Sequence, residues 1–121
     1  MNILAVDDKK DILNLIKTIL ELDGHSVTDV DNGDAAIAAC KETLFDLIFL
    51  DLMMEGKDGF ATLSIIRNST LNASTHTIAL TAKAYDNDRN LVLAQGFNDH
   101  VAKPFRAADL INKIRALSRP I

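Results

Sequence analysis

Five polar residues in this chain close apolar runs or follow them at once. They are Asp7 and Asp8 after "NILAV", Asp51 after "DLIFL", Thr81 after "HTIAL" and Lys103 after "DHVA". Taken singly, each has a plain structural explanation. Asp8, followed by "KKDIL", suits a helix cap with Asp11 in the first turn. Asp51 suits a turn at a strand end, Thr81 a β-branched strand residue, and Lys103 a solvated lysine in a Lys-Pro loop. Taken together they suggest chemistry. At ~5 Å and an effective dielectric of ~20, each carboxylate pair repels by about 3 kcal/mol. A fold stabilised by only ~5–15 kcal/mol does not gather three such acids without a counterion. Three aspartates are an all-oxygen donor set, which suits a hard divalent cation such as Mg²⁺. A hydroxyl at Thr81 and an ammonium at Lys103 complete a cradle for a phosphoryl group. Asp51 is then the nucleophile, a carboxylate that accepts phosphoryl and becomes an acyl phosphate.

For these residues to meet, the strands that carry them must be parallel. The chain alternates short β-type runs at 2–6, 25–30, 46–50, 76–80 and 99–102 with helical stretches. In "DILNLIKTILEL" the apolar positions Ile12, Leu15, Ile16, Ile19 and Leu20 follow helical spacing, and "ADLINKIRAL" repeats it with Leu110, Ile111, Ile114 and Leu117. Asn32-Gly33 is a hairpin signal by itself, but the alanine-rich run after it makes it a turn from strand into helix. Five strand–helix alternations predict a parallel sheet covered by helices on both faces. Three runs, "ILAV", "LIFL" and "TIAL", are continuously apolar, as strands buried on both faces must be. The second run is more polar and reads as an edge. In such sheets ligands bind beyond the carboxyl ends of the strands, where all five polar residues would lie.

Composition narrows the alternatives. The 121 residues suit one domain spanning 1–121, with 48% hydrophobic and 25% charged residues. No apolar run approaches the ~20 residues of a membrane span, and "MNILAVDD" has no basic signal-peptide start, so neither membrane nor export is expected. The single cysteine, Cys40, reads as a packing residue and fits the cytoplasm. A net charge of −4, no basic cluster and no tryptophan argue against direct nucleic-acid binding. His25, His76 and His100 lack metal-ligand spacing, and no glycine-rich nucleotide loop is present.

At "ILAVDD", "FDLIFLDLMMEGKDG", "TIALTAKA" and "GFNDHVAKPF" the sequence resembles the receiver domain of bacterial two-component response regulators, over essentially its whole length. The resemblance implies a flavodoxin-like (βα)5 fold, α/β, with strand order 2-1-3-4-5 and five flanking helices. It implies that Asp51 takes phosphoryl from a histidine of a sensor kinase or phosphotransfer protein. Asp8, Asp51 and the Met53 backbone carbonyl would hold Mg²⁺, with Asp7 acting through water. Thr81 and Lys103 would bind phosphoryl oxygens, and the Lys103–Pro104 bond would be cis. Thr81 would couple to a switch residue at His100, reshaping the face of the fourth helix, fifth strand and fifth helix for a downstream protein or output domain.

Four departures from the family pattern stand out. Glu55 replaces a usual proline, Lys57 a common apolar residue, and His100 an aromatic switch residue. Lys83 follows Thr81 closely enough to reach the site. Two rival readings remain. A haloacid-dehalogenase-type phosphatase uses a similar aspartate but needs a second acid two residues later, where Met53 stands. A receiver-like module that is never phosphorylated usually lacks one of the five polar residues. The ending "ALSRPI" fits either a stand-alone receiver or a piece of a longer regulator.

Overall fold

The computed structural model of the chain describes residues 1–82 and 89–118. Five strands, β1 (Asn2–Val6), β2 (Ser26–Val30), β3 (Leu47–Asp51), β4 (Thr77–Thr81) and β5 (Asp99–Ala102), alternate with five helices. These are α1 (Lys10–Leu22), α2 (Gly33–Glu42), α3 (Gly59–Ser69), α4 (Arg89–Ala94) and α5 (Ala107–Ser118). All strand pairs are parallel, in the order β2-β1-β3-β4-β5, so the polar second run is indeed an edge. β3 and β4 each run one residue past the apolar runs 46–50 and 76–80 that predict them. Pairing continues through Asp51, opposite Leu80, and through Thr81, opposite Ala102, because the backbone ladder outlasts the apolar run.

Strand alternation sends successive side chains to opposite faces. One face packs Leu4, Val6, Ile48, Leu50 and Ala79 against α2, α3 and α4 through Ile37, Leu63, Ile66 and Val92. The other packs Ile3, Ala5, Leu47, Phe49, Ile78 and Leu80 against α1 and α5 through Leu13, Ile16, Leu20, Leu110 and Ile114. The helix spacing therefore needs correction in both helices it described: in α5 Leu117 is exposed, and in α1 the stripe is centred differently. Leu13, not Leu15, joins the buried stripe of α1, and Leu15 is exposed. A stripe of 13, 16 and 20 points more squarely at the sheet, with Ile12 and Ile19 on its flanks.

Local sequence starts the helices. The Asn32 side chain accepts from the Ala35 N–H at 2.8 Å, capping α2, and Asp58 does the same for α3 from Ala61 at 2.8 Å. Asp8 caps nothing: the N-cap position of α1 is Lys9, with no side-chain cap. Two glycines permit close approaches. A Cβ on Gly33 would run into Thr62 Oγ1 and come within 3.2 Å of the Lys57 stem. One on Gly59 would strike the Asp51 carbonyl oxygen and lie 2.7 Å from Leu52 Cα. The first turn of α3 thus rests on the backbone at the end of β3.

At the opposite end of the sheet lies a polar network that the sequence did not suggest. Asn72, fully buried, donates to the Cys40 and Thr43 carbonyls, both at 2.8 Å, and accepts from the Phe45 N–H and the Thr75 hydroxyl. Arg67, on α3, donates to the Asn72, Thr75 and Gly96 carbonyls, to Thr77 Oγ1 and to Asn98 Oδ1.

Candidate functional site

The carboxyl ends of β1, β3, β4 and β5 bring the predicted residues together. Asp7, immediately after β1, is fully buried, and its N–H still pairs with the Val30 carbonyl of the neighbouring strand. Its Oδ1 accepts the Lys9 N–H at 2.9 Å, and its Oδ2 lies 2.7 Å from Lys103 Nζ. Asp51, buried at the last position of β3, accepts the Met53 N–H at 3.3 Å on Oδ1, which also lies 3.2 Å from Lys103 Nζ. Asp8 is partly buried and accepts the Glu55 N–H on Oδ2 at 3.2 Å. Oxygen atoms of Asp7, Asp8 and Asp51 all fall within 4.8 Å of one another.

These contacts divide the six carboxylate oxygens. Both oxygens of Asp7 are engaged. Asp8 Oδ1 and Asp51 Oδ2 are buried and have no hydrogen-bond partner among the described residues. Buried polar atoms are normally satisfied, so two such oxygens on carboxylates of one cluster point to a partner from outside the chain. An all-oxygen cluster with two open ligand atoms fits a hard divalent cation that retains several waters.

Electrostatics agree with that geometry. Burial pushes the Asp51 carboxyl above its usual range, the neighbouring Asp7 adds to the rise, and Lys103 opposes it. Burial alone would pull the Lys103 ammonium down. Its hydrogen bond to Asp7 and the charges of Asp51 and Asp7 outweigh that, and the net shift is upward. Lys103 therefore remains a fixed positive charge bridging two acids.

Thr81 is fully buried at the end of β4, and its hydroxyl has no partner among the described residues. The register pairs His100 with Ala79 and Thr81 with Ala102, so by alternation Thr81 and His100 share the face covered by α2, α3 and α4. His100 is half-buried, and its Nδ1 has no partner among the described residues. The Lys103–Pro104 peptide is cis. A cavity of about 360 Å³ lined by Lys9, Ile12, Met53, Ala82, Lys103 and Pro104 opens on Asp51. Lys83 lies outside the described residues.

The other histidines stay away from the acids. His25 bonds the N-terminal amine at 3.0 Å and Asp23 at 3.1 Å. His76 precedes β4, and burial lowers its pKa. What sequence reasoning missed is the role of the main chain. The N–H groups of Lys9, Met53 and Glu55 each hold one oxygen of one acid, and backbone donors carry no residue signature. The only clue was that position 55 is not proline, and so has an N–H to give.

Residues 3–115 match the family described as response regulator receiver domain. The transcriptional regulatory protein ResD of Bacillus subtilis is 38% identical over 117 residues, 97% of this chain and 48% of that protein. The chain thus spans about half the length of that regulator. The receiver domain of Francisella response regulator 1452 superposes with a TM-score of 0.87 at 32% identity, covering 96% of this chain and 94% of that one. The receiver domain of the sensor histidine kinase PA1611 from Pseudomonas aeruginosa gives a TM-score of 0.84 at 31% identity, covering 95% and 94%. That structure holds a magnesium ion in its active-site cleft.

Proposed function

The chain belongs to the response regulator receiver family, a signalling domain rather than a catalytic enzyme, and from that premise we propose that Asp51 is its phosphoacceptor. In this reading an Asp51 oxygen attacks the phosphorus of a phosphohistidine. The new O–P bond forms as the P–N bond breaks, and the imidazole leaves carrying its electron pair. The donor is a sensor histidine kinase or a histidine phosphotransfer protein, and residues 1–121 act as the receiver unit in the cytoplasm.

The observation that carries the proposal is the pair of open, buried oxygens, Asp8 Oδ1 and Asp51 Oδ2, beside an ammonium already bridging Asp7 and Asp51. Asp8, Asp51 and the Met53 carbonyl are the proposed Mg²⁺ ligands, with Asp7 acting through water. When bound, the cation supplies positive charge opposite the incoming phosphoryl oxygens. Lys103 supplies the same from the other flank and opposes the rise that burial and Asp7 give the Asp51 carboxyl. Thr81 offers the phosphoryl group a hydroxyl that nothing else described uses. Movement of Thr81 toward the phosphoryl group would alter the space before His100 on the same face. The surface of α4, β5 and α5 is then the one presented to a downstream protein or output domain. Phosphorylation adds about −1.5 to −2 charges at this spot, enough to bias such a two-state element.

The test is intact mass after incubation with Mg²⁺ and acetyl phosphate. One added phosphoryl group is expected, absent in Asp51→Asn and suppressed by chelating the metal. No adduct from acetyl phosphate or from a panel of phosphorylated kinases would overturn the proposal in favour of an unphosphorylated interaction module.

A further inference from the structure

The loop between β3 and α3 contains two residues that this chemistry leaves unused, Glu55 and Lys57. Both tie the loop down, at separate points. The Glu55 N–H reaches 47 positions back in the sequence to Asp8 Oδ2. That bond decides how the Asp8 carboxylate is turned. With Oδ2 held by the loop, Oδ1 is the Asp8 oxygen that is buried without a hydrogen-bond partner among the described residues. Among the described residues, the cation paired with Oδ1 is Lys9 Nζ at 3.9 Å, on a side chain 65% exposed, and a pair that long and wet does little to hold it. Among the described residues the amide is therefore the principal restraint on Asp8. A proline at position 55 would have no N–H and could not make this bond.

Lys57 anchors the far side of the same loop. Its stem lies over Gly33, so close that a Cβ there would sit 3.2 Å from Lys57 Cβ and Cδ. Its Nζ lies 3.7 Å from Asp34 Oδ1, but the Asp34 side chain is 84% exposed, so packing on Gly33 outweighs the ion pair.

We propose that Glu55 is a positioning residue acting through its main-chain N–H, holding Asp8 with Oδ1 turned toward the cation site, and that Lys57 steadies the loop that carries it. The inference rests on the metal-assisted reading above. An aspartate fixed before the cation arrives loses less rotamer freedom on binding, and partners of metal ligands commonly change affinity ~10- to 100-fold.

Two measurements on the metal-free full chain test it. The first is Mg²⁺ titration followed by amide chemical shifts. Glu55→Ala keeps the N–H and is expected to bind like the wild type, whereas Glu55→Pro binds about tenfold more weakly. Lys57→Met, which keeps the stem, stays close to wild type. Equal weakening in Glu55→Ala and Glu55→Pro would assign the effect to the side-chain charge and overturn the proposal. The second is hydrogen exchange at the Glu55 amide, which needs no proline variant to fold. Protection in the wild type, lost in Asp8→Ala, is expected; an unprotected amide in the wild type would overturn the latch. Failure of the wild type to bind Mg²⁺ at all would instead overturn the metal-assisted reading, and the exchange result would still judge the hydrogen bond.

Discussion

At the end of the sheet away from the acids, Asn72 uses both its donors and both acceptor positions on groups within the protein. At the acid end, Asp8, Asp51 and Thr81 each keep a buried oxygen with no hydrogen-bond partner among the described residues. Both regions bury polar atoms in the same small fold, yet they follow different rules. A satisfied network stabilises and fixes geometry, while an unsatisfied one costs free energy unless a ligand completes it. The fold is thus held firmly at one end and left incomplete at the other. The incomplete end is where an outside group has something to add.

The contrast is most open to attack at Asn72. Asn72→Ala would leave the Cys40 and Thr43 carbonyls and the Phe45 N–H unpaired, a loss of about 3 kcal/mol. Urea unfolding measures it, and phosphoryl uptake by the folded fraction should be unchanged. A loss below about 1 kcal/mol would mean that water replaces the network easily, and the contrast would fail.

Cys40 sharpens the same end by pH. Burial raises its thiol from the ordinary 9.0 to about 11, with the Arg67 charge opposing the rise. The native state therefore holds a proton that the unfolded chain releases. This contribution is intact below pH 9.0 and is lost as pH climbs toward about 11, worth about 2 kcal/mol across that window. Lysines titrate in the same range, so the readout is the difference between wild type and Cys40→Ala. Identical alkaline losses would show that water reaches the thiol.

The acid end should respond in the opposite sense. Asp51→Asn removes a buried charge that Asp7 repels and Lys103 only partly offsets, so the metal-free protein should gain about 1 kcal/mol. Saturating Mg²⁺ should then stabilise the wild type and leave the variant unmoved. Thermal unfolding with and without the metal reads both effects. A variant less stable than the metal-free wild type would show that Lys103 already completes the site.

Much of the incomplete end was legible in the sequence, and little of the complete one. Asp7, Asp8, Asp51 and Lys103 stood out because each breaks or follows an apolar run, and parallel strands bring such breaks together. Thr81 stood out only by its place in that list. Asn72 and Arg67 gave no such signal. Asn72 sits in a polar stretch, Arg67 lies on a helix where arginine is ordinary, and most of their partners are backbone atoms. The Glu55 N–H was hidden for the same reason. Leu13 and Leu15 were confused because helical spacing identifies a stripe without fixing its exact centre. Side-chain type announces chemistry, whereas main-chain hydrogen bonding waits for the fold.

Gly59 ties the two ends together mechanically. Side chains that touch can rotate to absorb a small displacement, but α3 meets the end of β3 through backbone atoms, with no methyl group between them. From there α3 runs 11 residues, about 16 Å, and carries Arg67 near its far end. It is a strut with one foot on Asp51 and the other in the Arg67 hydrogen bonds. A shift of the Asp51 main chain has no slack to disappear into along that strut. Resonances of Arg67 and its partners, remote from any phosphoryl group, are therefore a place to listen for events at the acids.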